Sequence, residues 1–303
     1  MTALDLVRVA TRGSPLALVQ AGLVARALVA AGACRRTELV LVRTEGDAIS
    51  EARADAGHEA SDGQFTVAVE EAVLAGRADV AVHSYKDLPT QSHAELTICA
   101  VPERADPRDC LVSRHDGGLD GLPPRAVVGT GSARRTAQLL EARPDLRPAP
   151  IRGNVDSRRR RVAAAELDAV LLAAAGLDRL GVGAGDERLP LDVMLPAPAQ
   201  GALAVQARTD CADLCRVVAA VDHAPSQLAA DAERELLRLV GGGCLAPLGA
   251  LVEVDAGAAR LRAAYATGPG RLTRVDLGGP SADLPHLVAA AARQLAEPIR
   301  VPR

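Results

Sequence analysis

The stretch Asp79-Val-Ala-Val-His-Ser-Tyr-Lys-Asp-Leu-Pro89 decides the fold. Asp79 to His83 is a short β-branched run of the kind buried inside a sheet, and the polar turn after it sets Lys86 and Asp87 just past the carboxyl end of the strand. In open α/β sheets ligands bind at that end. Comparable runs occur at Leu6 to Ala10, Glu38 to Arg43, Leu96 to Val101, Ala126 to Gly129 and Asp168 to Leu172. Between them, Pro15 to Val29, Phe65 to Ala75 and Ala133 to Ala142 repeat apolar residues at helical spacing. The first of these has Ser14 as N-cap and Pro15 at the first helical position. Strands alternating with helices predict βαβ units around largely parallel sheets.

Working outward, the polar segment Glu103-Arg-Ala-Asp-Pro-Arg-Asp109 separates two α/β stretches, and a second boundary falls near Ala199 to Asp210. The tail reads differently. A helix from Ser226 to Val240 stops at Gly241-Gly-Gly243, followed by strand-like runs at Leu248 to Val254, Arg260 to Ala266 and Arg271 to Leu277 and a helix from Ala282 to Ala296. That order predicts a small α+β domain with an antiparallel sheet. A chain of 303 residues exceeds what one core supports, which agrees with several units.

Apolar residues make up 49% and charged residues 24%, and the net charge is −3, so bulk charge points to no nucleic-acid partner. Trp is absent, and Phe65, Tyr85 and Tyr265 are the only aromatics, too few for base-stacking platforms. No apolar run reaches the roughly 18 residues of a membrane helix. Asp5, Arg8 and Arg12 interrupt the N-terminus where a signal peptide needs an apolar core, so a cytoplasmic protein without membrane contact is expected. The cysteines Cys34, Cys99, Cys110, Cys211, Cys215 and Cys244 show no metal spacing, and neither a disulfide framework nor a metal site is expected. Cys211 and Cys215 fit one helix face.

Basic residues are 34 Arg and a single Lys, Lys86. Arg134 and Arg135 follow the turn Gly129-Thr-Gly-Ser132 at a strand-to-helix junction, and Arg152 and Arg158 flank Gly153 in a second such turn. Free backbone N–H groups at a helix start already favour anions, and guanidinium pairs hold carboxylates through two parallel contacts. Arg12 and Ser14 form a third turn of this kind. Arg159, Arg160 and Arg161 read instead as a solvated helix face, because consecutive helical residues cannot all face one cleft. By residue type alone, Lys86 and Asp87 are a surface turn or a proton-handling pair, His83 is a core residue, and Cys244 after three glycines is a helix C-cap neighbour or an exposed nucleophile.

Taken together, the words RVATRGSPLAL, RADVAVHSYKDLP, ERADPRDCLVS, VVGTGSARRTAQL, ARPDL, IRGNVDSR, DAVLLAAAGLDRLG, LPAPAQGALAVQAR and GGGCLAPLGA resemble the porphobilinogen deaminase (hydroxymethylbilane synthase) family, in the family's order. The resemblance implies a transferase that joins four porphobilinogen molecules head to tail, loses ammonia at each step and releases the linear tetrapyrrole hydroxymethylbilane. It implies a dipyrromethane cofactor held by a thioether to Cys244, and Asp87 as the catalytic carboxylate. Arg12, Ser14, Ser84, Lys86, Thr130, Ser132, Arg134, Arg135, Arg152, Arg158 and Arg179 match positions binding the acetate and propionate groups of cofactor and substrate, and Phe65 and Gln200 match positions facing substrate and lid. The implied fold has two periplasmic-binding-protein-like α/β lobes and a small C-terminal α+β domain. Residues 1–103 with 200–219 make the first, with a lid at 45–64, residues 104–199 the second, and residues 220–303 the third. A monomer is implied.

The chain departs from that pattern where the family carries a glycine- and lysine-rich lid. Here the segment reads Gly57-His-Glu-Ala-Ser-Asp-Gly-Gln-Phe65, with His58 and Asp62 in place of lysine-rich sequence, and Glu45 stands for an arginine. Gly131 replaces a serine and Asp156 a small residue. Added negative charge near a carboxylate site is expected to weaken binding. A diverged relative with altered chain extension, and a two-lobed anion-binding protein without catalysis, therefore stay open as readings.

Overall fold

The computed structural model describes residues 3–42, 66–91, 93–241, 243, 246–268 and 271–296. Glu45, His58, Asp62, Phe65 and Cys244 lie outside the described residues. In chain order the strands are β1 Leu4–Arg12, β2 Cys34–Val42, β3 Val80–Ser84, β4 Leu96–Ala100, β5 Asp109–Ser113, β6 Val127–Gly129, β7 Arg147–Ala149, β8 Ala169–Ala173, β9 Glu187–Arg188, β10 Leu203–Arg208, β11 Leu248–Asp255, β12 Ala258–Gly268 and β13 Arg271–Pro280. The helices are α1 Pro15–Ala30, α2 Val67–Leu74, α3 Ala133–Ala142, α4 Val155–Ala163, α5 Ala174–Leu180, α6 Ala212–Val218, α7 Ala224–Leu239 and α8 Leu284–Ala296.

The chain divides into two compact units, the first comprising 1–106, 175–184 and 201–227, the second 107–174, 185–200 and 228–303. In the first unit the strand order is β2-β1-β3-β10-β4. β1 pairs in parallel with β2 and β3, whereas β10 runs antiparallel to both β3 and β4. Helix α1 starts as expected: Ser14 Oγ accepts the Ala17 N–H at 3.4 Å, and Pro15 follows. Its buried positions Gln20, Ala21, Val24, Ala25 and Leu28 follow the 3.6-residue period and pack, with Val7, Val9, Val205 and Val218, on one face of the sheet. Val69, Ala72 and Val73 of α2 cover the other face with Ala10 and Ala81.

The second unit repeats the plan with order β7-β6-β8-β5-β9. β6, β7 and β8 are parallel, and β5 is antiparallel to its neighbours. Largely parallel sheets were expected, but each sheet is mixed. Its two antiparallel pairings involve short strands whose partners lie far away in sequence, so local periodicity does not reveal them. The same unit holds the antiparallel sheet β11-β12-β13, whose Leu248, Val252, Leu261 and Val275 pack against Leu236 of α7 and Leu284, Val288 and Leu295 of α8. The mixed α/β class with a C-terminal α+β part is as the sequence predicts.

A correction concerns the thiols. Most thiols were expected as core residues without a disulfide framework, yet Cys99 on β4 and Cys215 on α6 are disulfide-linked, with Cα atoms 4.9 Å apart across 116 residues of sequence. Antiparallel β10 lies beside β4 and leads into α6, and this return of the chain brings the two residues together. Among the described residues no group of His, Cys, Asp and Glu could hold a metal, and no helix is long and apolar enough to cross a membrane.

Candidate active site

The mixed sheets explain how each site is assembled. A strand antiparallel to the parallel set begins where the others end, so its first residues join the loops at the ligand-binding edge. In the first unit, Leu203 of β10 lies opposite Ser84, the last residue of β3. The Tyr85 N–H donates to the Ala202 carbonyl at 3.0 Å, which pins the start of the 3₁₀ turn Tyr85–Asp87. Tyr85 is buried, while the turn leaves Lys86 half-buried and Asp87 exposed. Arg179 of α5 donates to the Gly201 carbonyl at 2.7 Å, and burial, opposed by Asp178, lowers its pKa to about 10.

Arg12, Gln20, Thr66, His83, Ser84 and Asp87 line one small pocket in this unit. Of the residues singled out in the sequence, Arg12, Ser84 and Asp87 thus come together, while Ser14 Oγ accepts from the first turn of α1 as its cap. Gln20 was not anticipated. Its amide Nε2 donates to Ser84 Oγ at 3.0 Å, and the Ser84 hydroxyl lies 3.3 Å from Gln20 Oε1, so a glutamine on the buried face of α1 fixes the serine at the pocket wall. His83 is buried, as read from sequence. Burial pushes its pKa down to about 4, with Gln206 opposing and the Arg12 charge adding, so it is neutral near pH 7.

The second unit carries a buried charge cluster. Asp109, the first residue of β5, is opposite Ala173 at the carboxyl end of β8 and is wholly buried. Its Oδ2 accepts from Arg134 Nη1 at 2.6 Å, and its Oδ1 accepts from Arg135 Nη2 at 2.6 Å, Arg135 Nε at 3.1 Å and Gln200 Nε2 at 2.9 Å. Arg134 Nη1 also donates to the Leu195 carbonyl and Arg135 Nη1 to that of Leu171. Burial alone would raise the Asp109 pKa. The two guanidinium charges and their hydrogen bonds outweigh it and hold the carboxyl well below the usual range. Burial lowers the pKa of Arg134, with Asp109 opposing. Two buried guanidiniums thus share one buried carboxylate.

Thr130 and Ser132 shape the turn before α3. Thr130 Oγ1 accepts the Ser132 N–H at 3.2 Å, and Ser132 Oγ caps the helix by accepting from the Arg135 N–H at 3.5 Å. A Cβ at Gly131 would stand 3.0 Å from the Ile151 carbonyl, so this turn and the Ile151–Gly153 turn run side by side. Arg152 is exposed on the latter, and Arg158 Nε donates to the Gly153 carbonyl at 2.9 Å. Arg159 pairs with Asp186 and Arg161 with Glu166, in keeping with a helix face outside the site. Asp109 is not among the site residues the sequence suggests, although it lies in the word ERADPRDCLVS; an acid opening an apolar run is the available signal.

The donor set suits the group that the sequence implies: cations and hydroxyls for its carboxylates, and an exposed carboxylate for pyrrole N–H groups. Residues 7–216 match the family model described as porphobilinogen deaminase, dipyrromethane cofactor binding domain. A protein named porphobilinogen deaminase from Nocardia farcinica is 50% identical over 248 residues, covering 82% of this chain and 70% of that protein. Another of that name, from Roseiflexus sp., is 42% identical over 288 residues, covering 95% and 94%. Among solved structures, the Bordetella pertussis BvgS VFT2 domain aligns with a TM-score of 0.42 and 16% identity, covering 71% of this chain and 86% of that one, a likeness too slight to carry weight. The family model spans more than two-thirds of the sequence, and the motifs around Asp87, Arg134 and Gln200 lie inside it, so the chain belongs to the porphobilinogen deaminase family of transferases, which build hydroxymethylbilane from porphobilinogen on a dipyrromethane cofactor.

Proposed function

We propose that Asp87 is the catalytic carboxylate of this chain's porphobilinogen condensation and that Cys244 carries the dipyrromethane. The observation that carries the reading is the pocket in which exposed Asp87 stands with Arg12 and Ser84 at the carboxyl end of β3. When bound, the dipyrromethane supplies the nucleophilic pyrrole carbon that starts the chain. Arg12, with Ser84 held by Gln20, binds a carboxylate of the substrate and orients its aminomethyl carbon. Asp87 accepts the hydrogen bond of a pyrrole N–H and stabilises positive charge as ammonia departs from the substrate. A neutral His83 beside Arg12 adds no second cation to repel that charge.

In the second unit, Thr130, Ser132, Arg134, Arg135, Arg152 and Arg158 bind further carboxylates, with Asp109 and Gln200 holding the two buried guanidiniums in orientation. Lys86, Arg179 and Ser14 complete the anion set, Phe65 takes part in substrate binding, and three domains with the boundaries drawn from the sequence divide the labour. The protein works as a cytoplasmic monomer without nucleic-acid or membrane partners.

Asp87→Ala tests the assignment. Ammonia release is expected to fall at least about 100-fold, in the range set by losing a charge-stabilising group, with the thermal midpoint unchanged because the side chain is exposed. Wild-type release from a folded variant would refute the role.

A further inference from the structure

The first unit holds a second chemical feature that owes nothing to the pyrrole chemistry. Cys99 and Cys215 both border the buried cluster of Val7, Val9, Val205 and Val218 and are themselves half-buried, within reach of a small reagent. The remaining described thiols differ from them. Cys34 and Cys110 are buried. Cys211 caps α6 one turn before Cys215, whose N–H donates to the Cys211 carbonyl at 3.0 Å, and its Sγ lies 3.3 Å from Asp210 Oδ1. Burial and that carboxylate raise the Cys211 pKa, which keeps it a protonated thiol and a poor competitor for exchange at neutral pH. A protein disulfide in a reducing compartment is characteristically transient rather than structural.

We propose that Cys99 and Cys215 form a reversible thiol-oxidation site whose oxidant is a low-molecular-weight disulfide. One cysteine thiolate attacks a sulfur of the external disulfide, forming a mixed disulfide and releasing one thiolate, which takes up a proton. The second cysteine thiolate then attacks the protein sulfur of that mixed disulfide and expels the other external thiolate. Two protein thiols lose two electrons, and the external disulfide gains them as two thiols. The bond joins the last strand of the chain's first pass through this unit to the helix of its return segment, across 116 residues. Closing so long a loop removes much freedom from the unfolded chain.

The test incubates the reduced holoenzyme with glutathione disulfide at neutral pH, alkylates the remaining thiols, and reads intact mass, the linked peptides and the thermal midpoint. Expected are two fewer alkylated thiols, a Cys99–Cys215 peptide, and a midpoint higher by about 5–10 °C. All three changes are reversed by dithiothreitol, and they vanish in Cys99→Ser and equally in Cys215→Ala, the second variant guarding against misfolding of the first. The proposal is overturned by an unchanged thiol count, by linkage through Cys211, by an enduring mixed disulfide, or by the same midpoint rise in either variant. None of these readouts depends on pyrrole binding, so a failed site and a failed functional reading are told apart.

Discussion

Asp109 illustrates how a carboxylate with no exposure fixes two buried guanidiniums. Water would compete for Arg134 and Arg135 if they stood open; in the interior, Asp109 and the carbonyls of Leu195 and Leu171 fix both forks. Breaking such a pair from one side leaves uncompensated buried charge, so Asp109→Asn is expected to lower stability by about 3 kcal/mol. A urea midpoint equal to wild type would contradict the structural role given to it. At this scale the sequence was legible where backbone chemistry is local. Ser14 and Pro15 were readable as a helix start, and Lys86 and Asp87 as a turn past a strand. Gln20 and Asp109 were not, because their partners Ser84 and Arg134 lie 64 and 25 residues away.

At the scale of elements, the antiparallel strands β5 and β10 bring residues to the ligand edge that the parallel strands cannot. The start of β10 depends on Gly201, whose φ of +89° and close approach to Ala105 leave no room for a side chain: a Cβ would lie 2.5 Å from the Ala105 carbonyl oxygen. Gly201 also accepts from Arg179, and the next residue, Ala202, accepts from Tyr85. Gly201→Ala is therefore expected to cost about 2 kcal/mol in strain and to slow ammonia release by moving the Asp87 turn. Unaltered midpoint and rate would show that the turn tolerates a side chain. Hydrophobic runs with clear caps, such as α1 and α3, were foreseen nearly to the residue. Short elements such as β7, β9 and α5 were not, since two to seven residues hold too few apolar positions to show a period.

Over the whole molecule, two units repeat one plan of three parallel strands, an antiparallel strand and an edge strand, and each contains some of the residues we propose for cofactor and substrate. Arg12, Ser84, Asp87 and Arg179 belong to the first, and Thr130, Ser132, Arg134, Arg135, Arg152, Arg158 and Gln200 to the second. The family and its chemistry were legible from nine sequence words, whereas the mixed sheets and the Cys99–Cys215 bond depend on pairings that no local window contains. In the proposed chemistry Cys244 carries a pyrrole pair and Asp87 serves it. Intact mass of protein purified from a host that makes porphobilinogen tests it most directly. The predicted result is a mass above the encoded value by one dipyrromethane, lost in Cys244→Ala; an unmodified wild-type mass would contradict it.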